Sequence, residues 1–397
     1  MSERFLCLRC WRTPRRTEAY YQCAACDSGD TDPGAAQLPK WLPPPSATNS
    51  ERRPVADLLP PRWRRWFSDA RVPEFCPDHP KSPLVLYCPC GRPLSTQSTL
   101  SGKLSGLGFA GPRSSGKTFL TITAISALGE LGSHRGSAPR VAPRRYGLLG
   151  FDGTGERFGK LTAQLLRDGT RPLPSPEVPG EYLTEDALEL DAARNFAWRV
   201  YETLPRAERP VPRAVLAVYD VAGEVWGIPP HERQERLDGY LGLLGSLVFV
   251  LDGATIAADL KLATEDAWHP PDAEQGPAWT DLEWFSRVQE RLGHLKRRRG
   301  TDLALVISKA DHLWDAYPEL KGEASQGALE DLLRRTGRSG IVDAGRAEFR
   351  RTKLFAASSL GFRPGPDDVD AEGRLVRCPE PIGVTAPLHW LLGERHK

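Results

Sequence analysis

Eight consecutive residues carry the clearest chemical signal in this chain. Gly111-Pro112-Arg113-Ser114-Ser115-Gly116-Lys117-Thr118 fits G-x-x-x-x-G-K-[ST] at every fixed position. Glycines let a backbone approach an anion closely, and N–H groups leading into a helix N-terminus surround it. The pattern is therefore a cradle for nucleotide phosphates, with Gly111, Ser114, Ser115 and Gly116 forming the loop. Lys117 is expected to contact the β- and γ-phosphates and the Thr118 hydroxyl to bind Mg2+. The plain alternative is a chance Gly/Ser turn before a helix. A strand-like run ahead of the loop and F-L-T-I-T-A-I-S-A-L behind it argue against that.

Such a loop does not choose a base, but three later segments bear on the choice. Asp220-Val221-Ala222-Gly223 follows the apolar run A-V-L-A-V-Y. An Asp at a strand end can hold Mg2+, usually through water. Gly223 can present its N–H to a γ-phosphate and hinge, which converts a triphosphate into a loop position. Ser308-Lys309-Ala310-Asp311 follows A-L-V-I. The Asp311 carboxylate can accept two hydrogen bonds from the ring N–H and amino group of guanine. Adenine lacks that donor pair and would leave a buried carboxylate unpaired. The stem of Lys309 can lie along the base. A strand followed by a polar helix cap is the bland reading of the same residues. Ser358-Ser359-Leu360-Gly361 follows K-L-F-A-A, and N–H groups in such a turn can donate to the guanine oxygen. The expected cofactors are GTP or GDP with Mg2+.

The cysteines suggest a second chemistry. Seven of the eight precede residue 91, and Cys378 stands apart as a small core residue or surface thiol. Cys7-x2-Cys10-x12-Cys23-x2-Cys26 has the spacing of two knuckles that place four thiolates around Zn2+. A redox pair is the rival reading. Cys76, His79, Cys88 and Cys90 offer a second possible Zn2+ set, with a tighter C-x-C knuckle, or else one incomplete site. Arg62-Trp63-Arg64-Arg65-Trp66-Phe67 mixes cations and aromatics as single-strand binders do. Packing or protein contact is favoured over nucleic acid, because a net charge of +2 provides no basic field.

The elements that must position these groups form an α/β pattern. Apolar runs predict strands at 106–110, 214–219, 246–251, 303–307 and 353–356, with an antiparallel edge strand at 196–201. Helices are predicted at 117–131, 281–296, 326–335 and 386–392. The apolar run 241–251 is half the length needed to cross a bilayer and reads as a buried strand. Residues 132–212 read as a long irregular insertion, 253–280 as a second, polar one, and 151–158 as a turn. The expected organisation is a zinc ribbon at 1–30, a Pro-rich linker at 31–61, a Cys/His module at 62–103 and a nucleotide-binding domain at 104–397. The fold class is α/β, a mostly parallel sheet flanked by helices, with small zinc-ribbon-like modules ahead of it. A hydrophobic fraction of 40% and a charged fraction of 26% suit a soluble protein with no membrane partner, and the N-terminus lacks a signal-peptide stretch. A cytoplasmic location is expected. The Arg-rich, Met-poor composition reads as that of a high-GC bacterium.

The ordered motifs over residues 104–397 resemble those of the P-loop GTPases of the translation-factor and Ras-like (TRAFAC) class. D-V-A-G-E followed by L-V-F-V-L-D, with the terminal P-L-H-W-L-L, is similar to bacterial double-GTPase families of predicted conflict or defence gene clusters. The resemblance implies a P-loop G domain acting as a regulatory switch, with a protein effector or companion GTPase-system protein as partner. Lys117, Gly223 and Glu224 are its candidate catalytic residues. Three positions depart from the Ras-like pattern. Glu224 stands where a Gln often orients the attacking water, Arg113 where Gly is common, and Ser308 where Asn or Thr is usual. An ionised Glu224 would be repelled by a γ-phosphate, which implies slow or partner-assisted hydrolysis; with a raised pKa it would serve as acid or base. The residue completing the Mg2+ shell is open among Thr170, Ser175 and Thr184. Other readings remain: a nucleotide-gated nucleic-acid sensor using the zinc ribbons, an ATP-dependent enzyme, and a pseudo-GTPase scaffold.

Overall fold

The computed structural model describes residues 4–7, 11, 13–14, 20–23, 53–54, 84–89, 93–94, 99–100, 103–112, 115–130, 145–150, 158–159, 162, 195–203, 211–219, 235–262, 280–295, 298–322, 324–368, 370, 375–377 and 379–393. The chain divides into two units, Met1–Ser101 and Gly102–Lys397.

The described residues of the first unit include very short antiparallel strands: β1 (Arg4–Phe5), β2 (Tyr20–Cys23), β3 (Arg53–Pro54), β4 (Leu84–Tyr87), β5 (Pro93–Leu94) and β6 (Thr99–Leu100). β1 pairs with β6, and β3, β2, β4 and β5 form a second small sheet in that order. Phe5, Leu6, Cys7, Trp11, Leu86, Tyr87, Cys88 and Leu94 are buried. The N–H of Trp11 donates to the carbonyl of Cys7 at 2.8 Å.

The second unit is an α/β domain. Its strands are β7 (Lys103–Ala110), β8 (Arg145–Gly150), β9 (Asn195–Thr203), β10 (Val211–Tyr219), β11 (Leu244–Asp252), β12 (Asp302–Ser308) and β13 (Arg351–Ala356). Its helices are α1 (Lys117–Glu130), α2 (Glu235–Leu243), α3 (Gly253–Asp259), α4 (Asp281–His294), α5 (Gln326–Arg335), α6 (Ser339–Glu348) and α7 (Ala386–Leu391). The sheet order is β13-β12-β11-β7-β10-β9-β8. β13, β12, β11, β7 and β10 are mutually parallel, while β9 runs antiparallel to both β10 and β8.

Successive residues of a strand face opposite sides of its sheet. Val248 and Val250 of β11 join a core with Leu120, Ile122, Ile125 and Leu128 of α1 and Leu388 of α7. Phe249, between them, stacks edge-on against Phe285 of α4, with ring centroids 4.9 Å apart. Helices therefore cover both faces, which is why the central strands read as unbroken apolar runs. Each fully buried Leu, Val or Phe contributes about 1.5–3 kcal/mol. α4 begins with a capping box, in which Thr280 and Glu283 each satisfy the other's backbone N–H.

Several expectations need correction. The 196–201 strand is antiparallel as expected, but it is not an edge, because β8 pairs along its far side. The 241–251 run is not one strand; α2 ends at Leu243 and β11 begins at Leu244, so the apolar run continues across a helix–strand junction. Residues 132–212 are not irregular throughout, since they hold β8, β9 and the start of β10. Phe158 is buried in edge contact with Phe196 and Trp198 of β9. The 253–280 segment opens with α3, N-capped by Asp252. Residues 31–52, 62–67 and Cys378 lie outside the described residues.

Candidate functional site

The 111–118 loop leaves β7 at Ala110 and enters α1 at Lys117. Gly111 has φ +148°, and a Cβ there would lie 2.3 Å from the carbonyl oxygen of Val250 in β11. Gly116 has φ +78°. Both glycines are thus backbone requirements of the loop. The Lys117 ammonium turns back over the loop and donates to the carbonyls of Gly111, at 3.0 Å, and Pro112, at 2.6 Å. The Ser115 side chain is fully buried, and among the described residues its hydroxyl has no hydrogen-bond partner. An orphaned hydroxyl beside a lysine in a glycine-bounded turn is a set of donors suited to an anion. Thr118, half-buried, follows in the first turn of α1.

The end of β12 comes to the same loop. The Ser308 hydroxyl lies 2.6 Å from the Ser115 carbonyl oxygen and 3.0 Å from that of Leu251. It carries one proton, and the shorter contact assigns that proton to the loop. Lys309 adopts the left-handed conformation at φ +45°. Its stem passes over Gly116, where an added Cβ would meet Cε at 3.7 Å and Cγ at 3.9 Å. Its ammonium lies 3.1 Å from Oδ2 of Asp252.

Asp311 is buried within the short helical turn that follows. Burial pushes its carboxyl above the usual carboxylate range. Hydrogen bonds from the Ser358 hydroxyl and its own backbone N–H, and the charges of Lys309 and Arg363, oppose that shift without cancelling it. His312 Nε2 lies 3.8 Å from the same carboxylate. The turns after β12 and β13 are joined, since Ala357 N–H donates to Ile307 at 2.9 Å and Ala310 N–H to Ala357 at 3.1 Å. Ser358 exchanges backbone hydrogen bonds with Ile382, at 2.9 and 2.8 Å, and its hydroxyl accepts from Gly361 N–H at 2.9 Å. Ser359 is the next residue, half-buried.

The fold therefore brings Gly111, Ser115, Gly116 and Lys117 together with Ser308 and Lys309, and joins Asp311 to Ser358. Arg113, Ser114, Thr170, Ser175, Thr184, Asp220, Gly223 and Glu224 lie outside the described residues. β10 ends at Tyr219, paired in parallel with Gly108 two residues before the end of β7. Of the sulfur and imidazole groups, Cys10, Cys26, Cys76, His79 and Cys90 lie outside the described residues. Among the described residues no group of three or more His, Cys, Asp or Glu is placed to hold a metal. Nor is any described helix long and apolar enough to cross a membrane. Sequence reasoning missed Asp252 and Arg363. The available signal for Asp252 was an Asp-Gly step ending an apolar strand; Arg363 had none.

No family model and no curated protein matches the chain. Among solved structures it is similar to an ADP-ribosylation-factor-like, small COPII coat GTPase from Encephalitozoon cuniculi in complex with GDP. That match has 14% identity and a TM-score of 0.28, and covers 74% of this chain and 80% of that one. It is also similar to the S. cerevisiae Ski7 GTPase-like domain bound to GTP, at 15% identity and a TM-score of 0.33, over 73% of this chain and 50% of that one. A third is Sup35 complexed with GDP, at 10% identity and a TM-score of 0.27, over 69% of this chain and 41% of that one. At such scores the functional reading rests on the site's own geometry.

Proposed function

We propose that this chain is a guanine-nucleotide-binding switch that hydrolyses GTP to GDP and phosphate, slowly by itself or with a partner's help. The observation that carries the reading is the junction at the end of β12. Ser308 holds the phosphate loop by its Ser115 carbonyl, Lys309 lies over Gly116, and Asp311 is buried at the Ser358 turn. A phosphate cradle alone would suit any nucleotide; a buried carboxylate tied to it suits a base with two adjacent donors.

In this reading the N–H groups of residues 111–118 and the Lys117 ammonium bind the phosphates, with Lys117 exchanging its loop carbonyls for phosphate oxygens. Asp311 reads the base edge, Lys309 covers one face, and N–H groups at Ser358 and Ser359 meet the guanine oxygen. Thr118 and Asp220 are the oxygen donors proposed for Mg2+, which when bound neutralises charge on the β- and γ-phosphates. Gly223 is proposed as the hinge that senses the γ-phosphate, and Glu224 as the residue that limits turnover. The wider setting proposed is a bacterial conflict, defence or signalling system with a protein effector.

The test is nucleotide titration with Mg2+. GTP should outcompete ATP, and Lys117→Ala should abolish binding; equal affinity for ATP and GTP would remove the guanine reading. Single-turnover hydrolysis should change in Glu224→Gln, and identical rates would strip Glu224 of its role. For the first unit, Cys7, Cys10, Cys23 and Cys26 are proposed to hold one Zn2+, and Cys76, His79, Cys88 and Cys90 a second. Burial of Cys7 and Cys88 suits thiolate ligation. Elemental analysis should find two zinc ions per chain, and a metal-free folded protein would contradict the assignment.

A further inference from the structure

Asp252 closes the L-V-F-V-L-D run, which assigns it no role, yet it ends β11 against the candidate base site. β11 lies between β7, which leads into the phosphate loop, and β12, which leads into Ser308 and Lys309. Asp252 pairs in register with Ser308. Its carboxylate, 15% exposed, is divided between two tasks. Oδ1 accepts the N–H of Ala254 at 3.0 Å and so caps α3, while Oδ2 lies 3.1 Å from the ammonium of Lys309. The next residue fixes the distance between the two segments, because a Cβ at Gly253 would stand 2.3 Å from the Ser308 carbonyl and 2.7 Å from that of Lys309. The nearby Arg338 is already engaged by Asp281 and Asp259.

Lysine is a compact charge on a flexible four-carbon stem and loses considerable rotamer freedom when fixed. Lys309 is 35% exposed and could sample many rotamers. Instead its backbone is held in the left-handed region, its stem crosses Gly116, and its head is tied to Asp252. Both ends of the stem are set before any ligand arrives.

We infer that Asp252 is a positioning residue of the nucleotide site, holding the Lys309 stem extended over Gly116 as a ready-made apolar wall for one face of the base. The inference rests on the guanine-nucleotide reading above. Asp252 does not touch nucleotide. It removes the ordering cost of Lys309, so its contribution belongs to the base and not to the phosphates.

Asp252→Asn keeps an oxygen to cap Ala254 and loses the charge, and a melting curve establishes that the variant is folded. GTP should bind about fivefold more weakly, the upper end for a part-exposed ion pair. Inorganic tripolyphosphate, measured by displacement of a fluorescent GTP analogue, should bind as it does to the wild type. Asp252→Glu should recover part of the GTP affinity. In a Lys309→Met background, which keeps the stem without its charge, Asp252→Asn should have no further effect on GTP. An equal loss for GTP and tripolyphosphate, or an undiminished loss in the Lys309→Met background, overturns the assignment. Unchanged GTP affinity in a folded Asp252→Asn overturns it alone, whereas wild-type protein that fails to bind GTP overturns the proposed function as well.

Discussion

Two buried aspartates, one at the start of β12 and one just past its end, differ in how they are satisfied. Asp302 begins β12 and is clamped by two guanidinium groups, with Arg350 Nε at 2.7 Å and Arg351 Nε at 3.1 Å. Burial alone would raise its pKa, but hydrogen bonds and charge from the two arginines outweigh that and hold it below the usual range. Asp311, just past the strand's other end, has a hydroxyl, its own N–H and more distant charges, and burial keeps its carboxyl above the usual range. Burial by itself therefore does not mark a functional carboxylate. A saturated one fastens chain to chain, as Asp302 ties the start of β12 to that of β13. An under-compensated one retains acceptor capacity for something else.

The sharpest way to break this contrast is to remove each charge in turn. Asp311→Asn should cost GTP affinity on the order of a thousandfold and admit xanthosine triphosphate, whose C2 oxygen can accept from the new amide. Its ligand-free stability should hold or rise, since a poorly compensated buried charge is removed. Titration with both nucleotides beside a thermal melt checks this; unchanged GTP affinity would end Asp311's role as base reader. Asp302→Asn should do the reverse. It should lower unfolding stability by about 2–3 kcal/mol, below the full penalty for a broken buried pair because both arginines are half exposed, and leave GTP affinity alone. Denaturant unfolding decides that case.

The smallest expected effect is on pH dependence, and the two carboxylates have opposite signs. The Asp302 pKa is lowered on folding, so its stabilisation is present above the unfolded pKa and lost as pH falls through the folded one. The Asp311 pKa is raised, so its contribution to the ligand-free protein is present below the unfolded pKa and lost as pH rises through the folded one. Guanine needs the ionised form. GTP affinity should therefore weaken as pH falls through the raised Asp311 pKa. The same series on Asp311→Asn should be flat, and an equal slope would assign the effect elsewhere.

The parallel core of the second unit was legible because strands covered on both faces read as continuous Val, Leu and Ile runs. The order of the phosphate loop, Ser308 and Ser358 followed from motifs that each sit at a strand end. What escaped notice lacked a local signal. β8 contains Gly147 and Gly150, poor strand formers, and owes its place to pairing with β9. α6 contains Gly340 and Gly345, and the latter allows close approach to Leu303 and Thr352. The α2–β11 junction fell inside one apolar run. Asp252 and Asp302 look alike in sequence, as acidic residues at strand ends; only their partners tell them apart.

The position of β8 has one further consequence. A partner peptide that adds to a sheet does so through unused main-chain donors and acceptors on a rim strand. Both sides of β9 are taken, one by β10 and the other by β8. Among the described strands the rims are β8 and β13, and on β13 Gln326 already takes the N–H and the carbonyl of Leu354; a substitution along β9 would reach a partner added at a rim only by disturbing the sheet itself.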